Sequence, residues 1–172
     1  MLETIVIRTA TQADAPQILR CLAAAFEPYR TSYTEAAYLD TVLTEEKILQ
    51  RLACMQVFVA VSANDEVLGT IACSRSGDQG HLRGMAVFPE HLGRGFAEKL
   101  LHTAESELAR QGCARVTLGT TEPLQRAMHF YEKLGYRRSG KTADFFGMSL
   151  HEYAKELGAT PDPVPNDPRR AS

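Results

Sequence analysis

The amino-acid sequence predicts an α/β (α+β) fold, a mixed central β-sheet of about six or seven strands with helices on both faces. Two observations carry that expectation. Two β-rich runs, Met55–Ser62 and Val67–Cys73, are separated by Ala63-Asn64-Asp65-Glu66 and read as an antiparallel hairpin. A further run, His81–Phe88, leads through a glycine turn into Gly95–Arg110. There Phe96, Leu100, Ala104 and Leu108 recur at four-residue steps, as on a crossover helix packed against a sheet.

The remaining elements follow in order. Thr4–Arg8 alternates as a strand, and Thr11 and Asp14 supply a hydroxyl cap and a first-turn acid for a helix running to about Phe26. Residues 27–43, with Pro28, Tyr29, Tyr33 and Tyr38, show no clear period and are expected to be irregular; Thr44-Glu45-Glu46 opens a second helix. After Gln111-Gly112 a strand covers Arg115–Leu118. Pro123 suits a first helical turn, and the next helix carries Leu124, Ala127, Met128, Tyr131 and Leu134 up to Gly135. Two short strands, near Tyr136–Ser139 and Asp144–Leu150, complete the order. Residues 158–172 hold four prolines and, of large apolar residues, only Val164. A single domain over 1–157 with a disordered, proline-rich tail is therefore expected.

Composition narrows the function class. With 44% hydrophobic and 23% charged residues the chain matches soluble globular proteins. No apolar stretch approaches the roughly 18 residues of a membrane span, and Met1-Leu2-Glu3-Thr4-Ile5 lacks a signal pattern, so a cytoplasmic protein is expected. A net charge of -2 argues against a nucleic-acid partner. Residues 1–66 hold nine acidic and five basic side chains, and 67–157 hold ten and twelve. That division suits a cationic ligand in the first half and an anionic one in the second, or simply a solvated surface. Cys21, Cys54, Cys73 and Cys113 lie apart in apolar runs and read as buried free thiols. His151-Glu152-Tyr153-Ala154-Lys155 lacks the second histidine of a zinc-protease helix, and no metal is expected.

The segment Leu92-Gly93-Arg94-Gly95-Phe96-Ala97 joins a strand to a helix N-terminus. Unpaired amides and the positive end of the helix dipole gather there, and glycines let a phosphate approach; a plain tight turn is the other reading. The run is neither a P-loop nor a dinucleotide fingerprint, since it lacks Lys-Ser or Lys-Thr, a third glycine and a following acid.

Met85-Ala-Val-Phe-Pro-Glu-His-Leu-Gly-Arg-Gly-Phe-Ala97 and, about thirty residues on, Ala127-Met-His-Phe-Tyr-Glu-Lys-Leu-Gly-Tyr136 together resemble the GNAT superfamily of acyl-CoA N-acyltransferases. The resemblance implies that acetyl-CoA is the co-substrate. Its pantetheine arm would pair with the backbone of Met85, Ala86 and Val87 as an added strand. The amides of Leu92, Gly93, Arg94, Gly95, Phe96 and Ala97 would hold the pyrophosphate, and Leu124, Met128 and Tyr131 would complete the cofactor site. Tyr131 matches the tyrosine that in many members protonates the departing thiolate; packing is its other reading. Leu92 stands where the family usually has Arg or Gln, and Leu124 where it often has Asn, so two polar contacts are missing.

An amine with a reference pKa of about 10.4 must lose a proton before it attacks a thioester, so a base and an oxyanion donor are needed. Glu122, at the open end of the Arg115–Thr120 strand, is the first candidate base, its other reading being an acid that favours the start of the next helix through the dipole, and His81 on the central strand is the second. The Val87 amide is the candidate donor to the carbonyl oxygen. His129 is expected on the surface. Acceptor selection is expected in Phe26–Tyr33, through Glu27, Tyr29 and Tyr33, with Phe145-Phe146; packing of the helix onto the sheet is the other reading of these aromatics. The reading is direct acetyl transfer to a primary amine of a small molecule, peptide or protein. A catalytically impaired acyl-CoA sensor is the alternative, O-acyl transfer on the same scaffold is a third reading, and a homodimer stays open.

Overall fold

Strand β1 (Val6–Thr9) pairs antiparallel with β2 (Gln56–Val61), and β2 forms the expected hairpin with β3 (Val67–Ser76). The structure, a computed structural model, describes residues 4–158. β3 pairs antiparallel with β4 (Gln79–Val87), and β4 lies parallel to β5 (Arg115–Thr121). The last two strands, β6 (Arg137–Phe145) and β7 (Met148–Glu156), are a hairpin whose second strand inserts antiparallel against β5. One seven-stranded mixed sheet results, in the order β1-β2-β3-β4-β5-β7-β6.

Strand alternation divides the core between two faces. Val57, Val59 and Val61 of β2 join Ile18 and Leu22 of α1 (Ala15–Phe26) and Ile48 of α3 (Glu45–Cys54). Phe58 and Ala60 point the other way, into a cluster with Leu100, Leu101 and Leu108 of α4 (Phe96–Arg110) and Met128 of α5 (Gln125–Lys133). Those three leucines are fully buried, each contributing about 1.5–3 kcal/mol. α4 is the crossover that parallel β4 and β5 require. Its buried carboxylate, Glu105, accepts a hydrogen bond from the Tyr136 hydroxyl at 2.8 Å and pairs with the Lys155 ammonium at 2.9 Å. No described helix is long and apolar enough to cross a membrane.

Three expectations need correction. Residues 27–43 are largely ordered as a 3₁₀ segment, Glu27–Ser32, and a helix, α2 (Glu35–Val42). Thr34 caps α2 by accepting from the Ala37 amide at 3.2 Å, while Ala37 and Tyr38 are buried; the helix is two turns long, too short for an apolar stripe to declare itself. The late strands are longer than expected, and Asp144–Leu150 straddles their turn. Phe146 and Gly147, at φ 51° and 88°, make that two-residue turn without the usual Asn-Gly signal, and β6 is exposed almost throughout, so no apolar alternation marks it. Cys54 is exposed, while Cys21, Cys73 and Cys113 are buried. Residues 159–172, most of the expected disordered tail, lie outside the described residues.

Thr34 also donates to the Phe146 carbonyl at 2.7 Å, tying α2 to the β6–β7 turn. Thr34→Ala is expected to lower the free energy of unfolding by about 1 kcal/mol in urea titrations; an unchanged midpoint would show that neither bond contributes.

Candidate active site

β4 and β5 lie side by side for only three residue pairs, Gln79–Arg115, Gly80–Val116 and His81–Thr117. Beyond them β4 continues to Val87 and β5 to Thr121 unpaired with one another, so the strands part. A bulge in β4 accompanies the parting. The register against β3 steps from Ala72–Arg83 to Thr70–Ala86, and Gly84 takes a left-handed φ of 62°. Past the bulge, the Phe88 amide donates to the Leu68 carbonyl at 3.0 Å, toward β3. Alternation therefore aims the Val87 N–H the opposite way, into the gap.

After β4, a 3₁₀ turn over Pro89–His91 uses the His91 and Leu92 amides, which donate to the Phe88 and Pro89 carbonyls at 2.9 and 3.3 Å. Leu92 thus offers an anion neither a polar side chain nor a free amide. Gly93 and Gly95 follow at φ 80° and 83°, and Gly95 caps α4. A Cβ on either would meet nothing within 4 Å, so the backbone conformation demands glycine and the space over the turn is open. Among the described residues the amides of Gly93, Gly95 and Phe96 make no backbone hydrogen bond, and they collect at the positive end of a 15-residue helix. The Phe96 side chain is buried in the core, so only its amide can serve a ligand. This arrangement can hold an anion with two or more phosphate oxygens.

α5 borders the same face of the sheet as α4. Leu124 precedes its first turn and makes no side-chain cap, and Met128 is buried, with Arg138 Nη2 at 3.7 Å from its sulfur. Tyr131 is partly buried, in edge-on contact with Phe130 (5.3 Å between centroids) and Tyr136 (5.6 Å). Burial raises its phenol above the ordinary value, so it stays protonated, and the hydroxyl has no hydrogen bond among the described residues. Packing and proton donation are both compatible with this placement.

The opposite face carries a different set. Gly80 and Leu82 face α4, so His81 faces away from it, beside Thr117. The His81 Nδ1 lies 3.1 Å from the Thr117 hydroxyl, which in turn is 3.5 Å from the Gly80 carbonyl. Desolvation, then the neighbouring Arg83, holds the imidazole below its ordinary 6.5, hence neutral at pH 7. The segment 27–42 bridges the two parted arms: the Tyr33 hydroxyl bonds Thr121 of β5 at 2.6 Å, and Asp40 of α2 receives Arg83 of β4 at 2.8 Å. Tyr33 thus bonds β5 beyond the point where the strands part, and Phe145-Phe146 joins it through Thr34. Glu27 is engaged by the Tyr38 hydroxyl (3.3 Å) and Arg30 (3.6 Å), both in its own segment, and Tyr29 packs on Phe26.

Glu122 is elsewhere. It follows β5, and its Oε1 contacts His151 Nε2 at 2.6 Å, a close approach poorly aligned for a hydrogen bond, with Arg138 at 3.9 Å. His151 shares its side of β7 with core residue Tyr153, so Glu122 leans toward α5, away from His81. His129 is exposed, as expected. Sequence reasoning missed Arg51, Arg83, Asp40 and Thr117. The alternation His81-x-Arg83 was a usable signal for Arg83; the β4–β5 register sets Thr117 opposite His81, and the placement of α2 and α3 beside the β4 bulge brings in Asp40 and Arg51.

Comparisons with known proteins agree with this geometry. The profile of the Acetyltransferase (GNAT) family matches residues 18–136. Among solved structures, the chain is similar to a PaiA N-acetyltransferase from Thermoplasma acidophilum in complex with coenzyme A, at 18% identity and TM-score 0.77, over 89% of this chain and 99% of that one. It is also similar to the ribosomal-protein-S18-alanine N-acetyltransferase of Escherichia coli, at 16% identity and TM-score 0.70, over 90% and 94%. An IAA acetyltransferase from Bacillus cereus matches at 18% identity and TM-score 0.66, over 89% and 99%.

At the bulge, a Cβ on Gly84 would overlap Nη1 of Arg51 as well as occupy a left-handed conformation. Gly84→Ala is expected to cost about 1–2 kcal/mol in thermal or urea unfolding. A variant as stable as the parent would show that the bulge imposes no such strain.

Proposed function

The chain belongs to the GNAT family of acyl-CoA-dependent N-acyltransferases, and from that premise we propose that it moves an acetyl group from acetyl-CoA to a primary amine by direct transfer in a ternary complex. The observation that carries the reading is the parting of β4 from β5 directly before the glycine turn. It leaves a strand edge with Val87 N–H facing the gap, followed along the chain by the turn with the Gly93, Gly95 and Phe96 amides. An extended amide-bearing arm that ends in a pyrophosphate fits both. Residues 1–157 would form the one catalytic unit, and the acceptor is a small molecule, a peptide or a protein.

Bound acetyl-CoA supplies an activated acetyl thioester. The Val87 amide is the donor aimed where charge builds on the acyl oxygen. His81 is the base in this reading, in place of Glu122. If the Thr117 hydroxyl donates to the Gly80 carbonyl, its oxygen accepts from His81 Nδ1–H, and Nε2 is left as the proton acceptor. Glu122 already faces His151 and lies toward α5. On that α5 side Tyr131, kept protonated by burial, donates to the leaving sulfur. Base and acid so stand on opposite faces of the sheet. The three buried cysteines give no route to an acyl-enzyme: burial pushes the Cys21 thiol up to about 12 and the Cys73 thiol up to about 11, and Cys113 is raised as well.

A second reading, an acyl-CoA sensor without turnover, draws on Leu92 and Leu124, which bring no polar side chain to the cofactor. One experiment separates the two. Acetyl-CoA is expected to raise the melting temperature where nicotinamide dinucleotides do not, and a panel of amines is expected to release CoA thiol. Stabilisation without thiol release would favour the sensor; no stabilisation by any CoA ester would remove both readings.

The acid limb of the kcat/KM profile is expected below pH 6.5, because the His81 pKa is lowered and only the neutral ring accepts a proton. His81→Gln is expected to abolish that limb and slow turnover by about 10²–10⁴-fold. Tyr131→Phe is expected to lower kcat more than affinity for acetyl-CoA; undiminished kcat would leave Tyr131 a packing residue.

A further inference from the structure

Beside the cleft on the His81 face stands a group that the transfer chemistry does not use. Arg51 of α3 is partly buried, its guanidinium pressed against the β4 backbone at Gly84, and among the described residues it makes neither a hydrogen bond nor an ion pair. Desolvation, followed by repulsion from Arg83, lowers its pKa to about 10, and Asp40 only partly offsets this. Asp40 is shared three ways in charge: it bonds Arg83 at 2.8 Å and contacts Lys47 at 3.7 Å. Three cations thus cluster around one carboxylate, with positive charge in excess. A desolvated, unpaired guanidinium is costly, since folding removes its water and supplies no counter-charge.

The placement is specific. The β4 bulge turns Arg83 and the Cα–Cβ direction of Gly84 to the same side, the side of His81 and away from α4. Arg83 lies two residues along the strand from His81, about 7 Å. An anion held by Arg51 and Arg83 would therefore sit within one small molecule's length of the imidazole that receives the amine proton. A guanidinium pair recognises carboxylate or phosphate oxygens through paired N–H donors.

We infer that Arg51 and Arg83 form an anion subsite for the acceptor, which is a small amine bearing its own carboxylate or phosphate, such as a free amino acid or a phosphorylated amine. This rests on the N-acetyl transfer reading. It also disfavours polycationic acceptors, which the cluster would repel.

The test compares matched acceptors in the acetyl-CoA thiol-release assay: protein amino acids, their carboxamides and their decarboxylated amines, with O-phosphoethanolamine against ethanolamine as the phosphate arm. At least one acid or phosphate is expected to exceed its uncharged partners in kcat/KM by about tenfold or more, and the arm that does so identifies the anion. Arg51→Met is expected to bring that ratio close to one, mainly through KM, and to raise the melting temperature by removing an unpaired charge. A purely structural arginine would do the reverse, leaving the ratio intact and lowering the melting temperature. Equal or better turnover of amides and decarboxylated amines overturns the inference while transfer stands. If no amine releases thiol, the transfer reading fails and binding decides the subsite. N-acetyl amino acids and O-phosphoethanolamine should then stabilise the CoA-loaded wild type more than the CoA-loaded Arg51→Met, and equal effects overturn it.

Discussion

The backbone hydrogen bonding that stops between β4 and β5 after His81–Thr117 is the constraint from which the rest of this molecule is arranged. Buried backbone groups need partners, and a central strand whose edge is released in mid-sheet is tolerable only where something else can pair with it. The left-handed Gly84 and the added residue opposite β3 bend β4 at that point. The same bend aims Val87 N–H into the gap and carries the chain toward Gly93 and Gly95. The gap and the approach to the glycine turn are one feature.

In the proposed reading the gap passes through the sheet and residues of both faces meet there, although strand alternation would otherwise keep them apart. The α4–α5 face contributes a helix N-terminus and a protonated tyrosine. The other contributes a neutral imidazole held by Thr117 and a group of arginines. Segment 27–42 spans the second face, anchored by Tyr33 on one parted strand and by Asp40 on the other. Both of these anchors lie on side chains.

Local charge also differs from segment charge. The first 66 residues are acidic in sum, which suited a cationic acceptor, yet Lys47 and Arg51 of that segment converge with Arg83 near the cleft. Glu27, the acid expected to attract a cation, is engaged by Arg30 and Tyr38. Summed charge describes the far field, whereas ligand choice follows the few groups that are desolvated at the site.

Much of the frame was legible in the chain itself. The β2–β3 hairpin, the α4 stripe, the glycine turn and the α5 motif all depend on periodicity or on glycine placement within a few residues, and such local signals survive without knowledge of neighbours. The exposed edge strand β6 and the short α2 carried no comparable period. What only tertiary structure decided was which side chains face the cleft and in what company. Glu122 sits at the expected end of β5 but turns to His151; Leu92 sits in the turn but its amide is consumed by Pro89; Arg51, far from both motifs in sequence, is brought against Gly84. Local sequence sets an element's type and stripe. The partner of each polar atom depends on a bulge, a register and the packing of helices distant in the chain, which no local pattern encodes.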